Sequence, residues 1–186
     1  MYGFLADLQN INWTYPIVGA LLFVVWTGWT HFVGAIWAQA PLKIIKQMLD
    51  VAKVNEKDVV YDLGCGEGRI IIMAGKRGAK GIGYEIDPIR VLIAKSFAFA
   101  SNIFFWVTKN PGRTEIKWKN IFDKKIDFKK ATVVTVFLMQ KTNNMLEERL
   151  RKELPEGARV VSYVWKFNNW KPSFEDKKNQ VYMYVV

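Results

Sequence analysis

The stretch with the most chemistry is a strand-like run that ends in a carboxylate and enters a glycine-rich loop, residues 59–69, VVYDLGCGEGR. Asp62 is followed by Gly64, Gly66 and Gly68 at alternate positions, and then by the apolar segment 70–74. This order predicts a strand, a tight loop and a helix. Glycines let a ligand approach the main-chain N–H groups at the start of a helix, so we predict a pocket for a nucleotide-like ligand.

The spacing of the glycines narrows the choice of ligand. In the dinucleotide fingerprint G-x-G-x-x-G the third glycine stands one residue later than it does here. The carboxylate of Asp62 would repel a pyrophosphate, but it would attract the α-amino group of S-adenosylmethionine. The N-terminus of the helix would then face the carboxylate of that ligand. A phosphate-binding P-loop is excluded, because Gly75-Lys76 has no glycine five residues before it and no Ser or Thr after it.

A second acidic residue stands at the end of the next predicted strand, residues 81–86. Glu85 follows the glycine loop by about 20 residues, which is the spacing of a carboxylate that binds ribose hydroxyls. Asp87 and Pro88 come next, and they are typical of the N-cap and first position of a helix. We therefore place Glu85 in the site and leave Asp87 out of it.

Five motifs together resemble one enzyme family: DLGCGEGR, GYEIDP, KNIF, TVVTVFL and GARVVS. Over residues 41–186 the chain is similar to class I S-adenosylmethionine-dependent methyltransferases. More narrowly, it resembles the archaeal protein-lysine methyltransferases and their membrane-anchored mitochondrial relatives. The resemblance implies an α/β fold, Rossmann-like and doubly wound, with a mostly parallel seven-stranded sheet. It also implies S-adenosylmethionine as cofactor and a protein lysine as methyl acceptor.

The site residues follow from the loop and from this resemblance. Asn120 stands where the family has an adenine-contacting Asp or Asn, although a role as a turn residue stays open. No general base is assigned. The expected cofactor-binding residues are Asp62, Leu63, Gly64, Cys65, Gly66, Gly68, Glu85, Ile86, Asn120 and Ile121.

The methyl-transfer chamber should lie outside the carboxyl ends of the strands. Its expected lining is Phe137, Leu138, Met139, Tyr163 and Trp165. The family often has Tyr where Phe137 stands, so one hydrogen bond to an incoming amine is lost here. Tyr163, Trp165 and Trp170 are candidates for an aromatic wall around a lysine, with core packing as the equal alternative for all three.

Composition restricts the remaining possibilities. The 186 residues suffice for one domain with a full core. One cysteine, Cys65, and one histidine, His31, cannot form an internal disulfide or a metal cluster, so no metal is expected. The net charge of +10 suits either nucleic acid or an anionic membrane surface.

The amino-terminal segment, residues 1–40, favours the membrane. Residues 17–38 carry no formal charge and are long enough for a single transmembrane helix. Lys43 and Lys46 after this span, against Asp7 before it, place the methyltransferase domain, residues 41–186, on the cytoplasmic side. The alternative is an amphipathic or buried helix, in which Thr27, Thr30 and His31 mark a partner-facing stripe.

Two segments carry open alternatives. Residues 41–54 predict a helix with one buried face that joins the anchor directly to the domain, and Gln39-Ala40-Pro41 departs from a family pattern of Thr between prolines. Residues 89–107 predict an unusually apolar helix. We expect its surplus apolar residues to be extra core, with a lipid-facing surface as the alternative.

Three other functions stay open. The enzyme could methylate a lipid or quinone-like molecule, or the chain could be a non-catalytic cofactor-binding assembly factor on the membrane. A nucleic-acid methyltransferase is disfavoured by the predicted anchor and by the absence of an NPPY-like motif after the fourth strand. The oligomeric state is not predicted.

Overall fold

The computed structural model describes residues 12–32 and 38–186, and the chain divides after Ile36 into two compact units. The first unit contains helix α1, Thr14–Phe32. Its apolar side chains at positions 17–25 are exposed. The predicted span 17–38 extends over residues 33–37, and the side chains of Thr27, Thr30 and His31 also lie outside the described part of the chain. The transmembrane helix therefore stays a prediction.

The second unit alternates strands and helices, as the sequence predicts. Its elements are α2 (Leu42–Val51), β1 (Val59–Leu63), α3 (Arg69–Lys76), β2 (Lys80–Glu85), α4 (Pro88–Val107), β3 (Arg113–Trp118), a 3-10 turn (Phe128–Lys130), β4 (Val133–Val136), α5 (Gln140–Glu153), β5 (Arg159–Tyr163), β6 (Phe174–Asp176) and β7 (Val181–Val185). The sequence pattern did not reveal β6 or the 3-10 turn.

The strands form one seven-stranded sheet in the order β3-β2-β1-β4-β5-β7-β6. Strands β1 to β5 pair in parallel, while β7 pairs antiparallel with both β5 and β6. The expected Rossmann-like, mostly parallel sheet is confirmed. The short β6 forms the edge of the sheet beyond β7, the last strand of the chain.

Strand β1 lies at the centre of the sheet and is covered on both faces. Neighbouring side chains of a strand point to opposite faces. Val60 accordingly packs in a cluster with Met48 and Leu49 of α2, whereas Tyr61 packs in a cluster with Leu146 of α5. Burial on both faces explains why the parallel strands consist of nearly uninterrupted apolar residues in the sequence.

Helix α4 is only partly buried, contrary to the expectation of extra core. The side that packs on the sheet carries Arg90, Val91, Ala94, Ala98 and Phe105. The surplus apolar side chains point outward and are at least 39% exposed. The sheet supplies one surface for a helix to cover, so the other side of α4 has no core to enter.

Candidate cofactor site

The glycine loop joins β1 to α3 at the carboxyl end of the sheet. The N–H groups of Gly64 and Cys65 both donate to the carbonyl of Tyr84, at 2.9 and 3.0 Å, which fixes the loop against β2. Gly64, Gly66 and Gly68 have φ angles of 79°, 53° and 81°, a region that favours glycine. A Cβ at Gly64 would also lie 2.8 Å from the side chain of Leu138. The loop conformation therefore requires glycine, as the spacing predicted.

Asp62 is a buried carboxylate at the end of β1. It is 2% exposed, and its Oδ1 accepts a hydrogen bond of 2.8 Å from the Thr135 hydroxyl. Burial raises the pKa of Asp62 to about 7; the Thr135 hydrogen bond opposes this rise, and the nearby charge of Glu85 adds to it. No Lys or Arg of the described residues forms an ion pair with Asp62. A cationic group of a ligand would supply that missing charge.

Glu85 ties the end of β2 to the glycine loop. Its Oε2 accepts from Gly66 N at 2.8 Å, and its Oε1 accepts from the N–H groups of Ile86 and Asp87 at 2.9 and 3.0 Å. A carboxylate has about four acceptor positions. Three are filled by the main chain, so one ribose hydroxyl can be added directly, and a second must share an oxygen with a main-chain donor. Glu85 thus fixes the loop, and its role as a ribose ligand stays a prediction.

Asp87 has the capping role that the sequence predicts. Its Oδ1 accepts from Ile89 N at 2.9 Å and from Arg90 N at 3.1 Å, and Pro88 follows it at the first turn of α4. Asp87 also lies 3.7 Å from the guanidinium of Arg90. Its carboxylate is therefore committed to the helix start.

Asn120 lies exposed just beyond β3 and uses its Oδ1 to accept from Phe122 N at 2.9 Å. The turn role is therefore present, and the NH₂ group of Asn120 is left as the donor that an adenine ring nitrogen would need. Ile121 follows it and packs against the core. Trp118, which the sequence analysis missed, donates from Nε1 to the carbonyl of Ile86 at 2.9 Å. A tryptophan at the end of a strand, two residues before the candidate adenine contact, was the available signal.

Of the predicted chamber residues, three make packing contacts and one is exposed. Phe137 and Tyr163 pack ring against ring, with centroids 4.6 Å apart, and Leu138 lies against the glycine loop. Trp165 is 43% exposed beside the end of β5. Trp170, however, is buried against Phe167 and Tyr184. It is a core residue. Tyr163 is partly buried and also packs against a core cluster, so Trp165 is the exposed member of the predicted aromatic wall.

The chain turns sharply between these two aromatic residues. Val164 has a φ of 70°, which is unfavourable for a β-branched residue, and Trp165 N donates to the Tyr163 carbonyl at 2.9 Å. Buried Asn143 donates from Nδ2 to the Trp165 carbonyl at 2.9 Å and so supports the strained turn. The sequence around Trp165 does not predict its hydrogen bond with Asn143, because Asn143 belongs to a different element, α5.

The segment before α2 also reaches the glycine loop. The Gln39 side chain donates to Glu67 Oε1 at 2.9 Å and accepts from Arg69 Nη1 at 3.0 Å. Residues 39–41 depart from the family pattern, and the side-chain amide of Gln39 in this segment bridges the charged groups of Glu67 and Arg69 at the start of α3. Among the described residues, no cluster of His, Cys, Asp and Glu is arranged to hold a metal ion.

Comparison with known proteins identifies the family. A family model described as the ANTKMT methyltransferase domain matches residues 62–174, which is more than half of the chain. The chain belongs to this methyltransferase family. Among curated relatives, a protein-lysine N-methyltransferase of Saccharolobus islandicus is 39% identical over 158 residues, covering 81% of this chain and 92% of the relative. A human lysine N-methyltransferase, named for a subunit of ATP synthase, is 28% identical, covering 89% and 71%.

A solved relative shows which cofactor belongs to the fold. The crystal structure of an RNA methyltransferase from Salinibacter ruber, in complex with S-adenosyl-L-homocysteine, is 34% identical with a TM-score of 0.69. The matched region covers 80% of this chain and 93% of the Salinibacter ruber chain. The predicted class I S-adenosylmethionine-dependent methyltransferase is therefore confirmed, and so is its cofactor.

The site residues of this methyltransferase fit S-adenosylmethionine. Asp62 offers a buried carboxylate to the α-amino group, with no ion pair to a Lys or Arg in the described part of the chain. The positive-φ glycines leave the main chain open to close approach. Glu85 keeps acceptor capacity for the ribose, and Asn120 keeps donors for the adenine. The cofactor supplies a methyl group bonded to a positively charged sulfur. The individual ligand assignments stay predictions.

Proposed function

We propose that the protein is a membrane-anchored S-adenosylmethionine-dependent methyltransferase that N-methylates lysine on a protein at or in the membrane. The observation that carries the substrate class is the similarity to the protein-lysine N-methyltransferase of Saccharolobus islandicus, which extends over 92% of that relative. The human lysine N-methyltransferase named for an ATP synthase subunit is similar over 89% of this chain. Both comparisons favour a protein lysine as methyl acceptor.

The aromatic chamber supports a lysine substrate. Methyl transfer requires a neutral amine that attacks in line with the bond between sulfur and methyl, so correct positioning matters more than a dedicated base. Apolar surroundings disfavour the ammonium form of lysine and lower its pKa. Leu138, which lies against the glycine loop, and the paired rings of Phe137 and Tyr163 would provide such surroundings. In this proposal they orient the amine and exclude water, and no residue is assigned as general base.

The anchor rests on the amino-terminal segment. By length and composition alone, Pro88–Val107 is the one helix of the described residues that could cross a membrane; the described apolar stretch Thr14–Val25 is shorter. Pro88–Val107 packs on the sheet through its buried side, so we assign the anchor to residues 17–38 instead. The basic residues that begin at Lys43 favour a cytoplasmic catalytic domain.

Cofactor binding and methyl transfer test the enzymatic proposal together. Isothermal titration of S-adenosylmethionine and S-adenosylhomocysteine into the detergent-solubilised full chain should show binding, and Glu85→Ala should weaken it by about 1–3 kcal/mol. Glu148→Ala removes an exposed carboxylate from α5 and serves as the matched control. Labelled-methyl transfer is then measured into membrane proteins, lipid extracts and RNA. Label on a protein lysine supports the proposal, whereas label confined to lipid or RNA overturns the substrate class.

Topology is tested separately from activity. A cysteine introduced by Lys178→Cys, in the exposed segment between β6 and β7, should react with a membrane-impermeant maleimide only from the cytoplasmic side of sealed vesicles. Reaction from the opposite side would refute the orientation. Complete release of the protein from membranes by high salt or carbonate would refute the anchor.

A further inference from the structure

The side of α4 that points away from the sheet is a continuous apolar surface, which we term the outer face of α4. Its large apolar side chains are between 39% and 77% exposed. They are Ile89, Leu92, Ile93, Phe97, Phe99, Ile103, Phe104, Trp106 and Val107. Side chains of this size and exposure present an area on the order of 1,000 Å², larger than the roughly 300–600 Å² patch of a typical soluble monomer. Such a surface needs an occupant.

The opposite side of α4 is fixed to the sheet by specific bonds. The Asn102 side chain pairs with both the N–H and the carbonyl of Thr114 in β3, at 2.8 Å each, and Ser101 Oγ lies 3.1 Å from Thr114 Oγ1. Phe105 is fully buried, with its ring against Gly75 of α3. The helix therefore cannot leave the sheet to cross a bilayer without breaking these contacts. Any contact with lipid must involve the outer face alone.

The hydroxyl groups of the outer face are already satisfied within the helix. Ser96 donates to the carbonyl of Leu92 at 3.1 Å, and Thr108 donates to the carbonyl of Phe104 at 2.8 Å. A polar group that keeps its hydrogen bond costs little to transfer out of water. The outer face can thus enter apolar surroundings without leaving an unpaired donor.

The charges around the outer face identify the occupant. Residues 88–112 contain no Asp or Glu. Lys95 and Lys109 are exposed on and just after the helix, and Arg113 is exposed at the start of β3. Exposed Lys76 lies near the same end, because its carbonyl accepts from the Asn110 side chain at 3.2 Å. An apolar face with a cationic rim matches the surface of an anionic bilayer, where apolar side chains enter the acyl boundary and lysines reach phosphate.

We propose that the outer face of α4 inserts into the interfacial region of an anionic lipid bilayer and holds the catalytic unit against the membrane. Trp106, 77% exposed, would lie at the level of the headgroups, as exposed tryptophans do at membrane interfaces. The net charge of +10 opposes pairing of two copies and favours anionic lipid. The inference goes beyond the proposed anchor, since the surface belongs to the catalytic unit and does not require residues 17–38 to span the membrane.

A nitroxide label at Ser96→Cys tests this proposal in the full chain. The protein is reconstituted in vesicles of phosphatidylcholine with a minor fraction of phosphatidylglycerol, and the access of oxygen and of a water-soluble nickel reagent is measured. We expect the ratio of oxygen to nickel access at 96 to exceed that of Lys178→Cys several-fold, and to fall in pure phosphatidylcholine. Cys65 does not interfere, because it is buried and burial raises the pKa of its thiol.

Two further variants make the result specific. Phe99→Glu places a charge in the outer face and should return the ratio at 96 to the value in water, whereas Phe174→Glu, at a partly exposed phenylalanine of β6, should leave it unchanged. Equal nickel access at 96 and 178 would overturn the proposal. Shielding of 96 from both reagents, with or without lipid, would show a protein occupant and would also overturn it.

A label at Val18→Cys separates this inference from the proposed anchor. Val18 is a described, exposed residue of α1. High oxygen access at 18 combined with free nickel access at 96 would refute the docking of α4 and leave the anchor intact. The reverse result would refute the anchor alone.

Discussion

Two buried aspartates four residues apart, one just before β1 and one within it, differ sharply in their surroundings. Asp58, at the amino end of the sheet, is 5% exposed and forms an ion pair with Arg159. It also accepts hydrogen bonds from Thr132 Oγ1 at 2.7 Å and Asn55 N at 2.9 Å. Asp62, at the carboxyl end, is 2% exposed and accepts from the Thr135 hydroxyl, with the carboxylate of Glu85 nearby.

The difference separates a structural carboxylate from one that is predicted to bind a ligand. A buried charge that is paired and hydrogen-bonded within the protein contributes to the fold, whereas a buried charge without a cation is costly until a ligand supplies one. We therefore expect Asp58 at the amino end of the sheet to stabilise the molecule, and Asp62 at the carboxyl end to bind the cofactor. Substitutions at each end, combined with changes of pH, test whether the two roles are separate.

The largest effect is expected at the amino end. Arg159→Met leaves Asp58 buried without its cation and also removes a hydrogen bond to the Ala52 carbonyl. We expect the free energy of unfolding to fall by about 2–4 kcal/mol, less than for a fully buried pair because Arg159 is partly exposed. Urea unfolding in detergent measures the change, with the exposed Lys152→Met as control. A loss no larger than in the control would show that this pair does not stabilise the fold.

At the carboxyl end we expect the opposite pattern. Asp62→Asn removes the charge that is predicted to bind the cofactor's amino group, so it should weaken S-adenosylmethionine binding by about 1.5–3 kcal/mol, or about 10- to 150-fold. Its free energy of unfolding should stay the same or rise, because an uncompensated buried charge is lost. Asp58→Asn is the matched comparison: it should reduce stability and spare binding in the folded fraction. Titration calorimetry and urea unfolding on both variants decide whether the two roles are distinct.

The pH dependence of cofactor binding follows from the raised pKa of Asp62. Since this pKa is about 7 in the free protein, the carboxyl is protonated at lower pH and must release a proton to pair with the cofactor. Affinity should therefore increase as pH rises from about 5.5 to about 7.5, by up to about 1.4 kcal/mol per unit below the pKa. Calorimetry near pH 6 in two buffers of different ionisation enthalpy should detect the released proton. Asp62→Asn should bind without this dependence.

The raised pKa of Asp62 also makes the stability of the cofactor-free protein depend on pH. The folded pKa of Asp62 lies above its ordinary value of 3.8, so the folded protein holds the proton more tightly. The resulting stabilisation is complete below 3.8 and is lost as pH rises through about 7. Wild type should lose this contribution between about pH 4 and pH 7, and Asp62→Asn should not. An equal change in both proteins would assign the pH effect to other groups.

Local sequence patterns predicted the local features, but they could not predict what depends on distant contacts. The glycine loop, the cap at Asp87 and Glu85 at the end of β2 follow from short patterns, and the structure contains them. The ion pair between Asp58 and Arg159 joins residues 101 positions apart, and neither residue signals the other. Strand β6 is three residues long, largely exposed and defined by its pairing with β7, so it lacks the alternation that identifies a strand.

The aromatic residues after β5 show the same limit. The sequence alone does not distinguish the roles of Trp165 and Trp170. The packing of Trp170 on Phe167 and Tyr184 in the structure assigns it to the core. The expectation of extra core in α4 was wrong because apolar content does not reveal how much surface the sheet offers for packing. For the two tryptophans and for α4 alike, the outcome depends on how much of each side chain the neighbouring elements cover. Amino-acid composition does not give that information.

The smallest effect is expected from Thr135, whose hydroxyl donates to Asp62 at 2.8 Å and lowers its pKa. Thr135→Val preserves the shape of the side chain and removes this donor, so the pKa of Asp62 should rise further. The midpoint of the binding profile should move to higher pH by roughly half a unit to one unit, which corresponds to about 0.7–1.4 kcal/mol near neutral pH. Calorimetric titration at about pH 6.5 and about pH 8 measures this shift.

Thr135→Ser retains the hydroxyl and is the matched control, since it should keep the wild-type midpoint even if the lost methyl group reduces stability. A loss of affinity in Thr135→Val that is the same at both pH values would contradict the expectation, because the hydroxyl would then act on the shape of the site and not on the charge of Asp62. A loss that disappears at the higher pH would show that the buried carboxylate must be ionised to bind the cofactor. It would also show that one hydroxyl from the neighbouring strand sets the pH at which this happens.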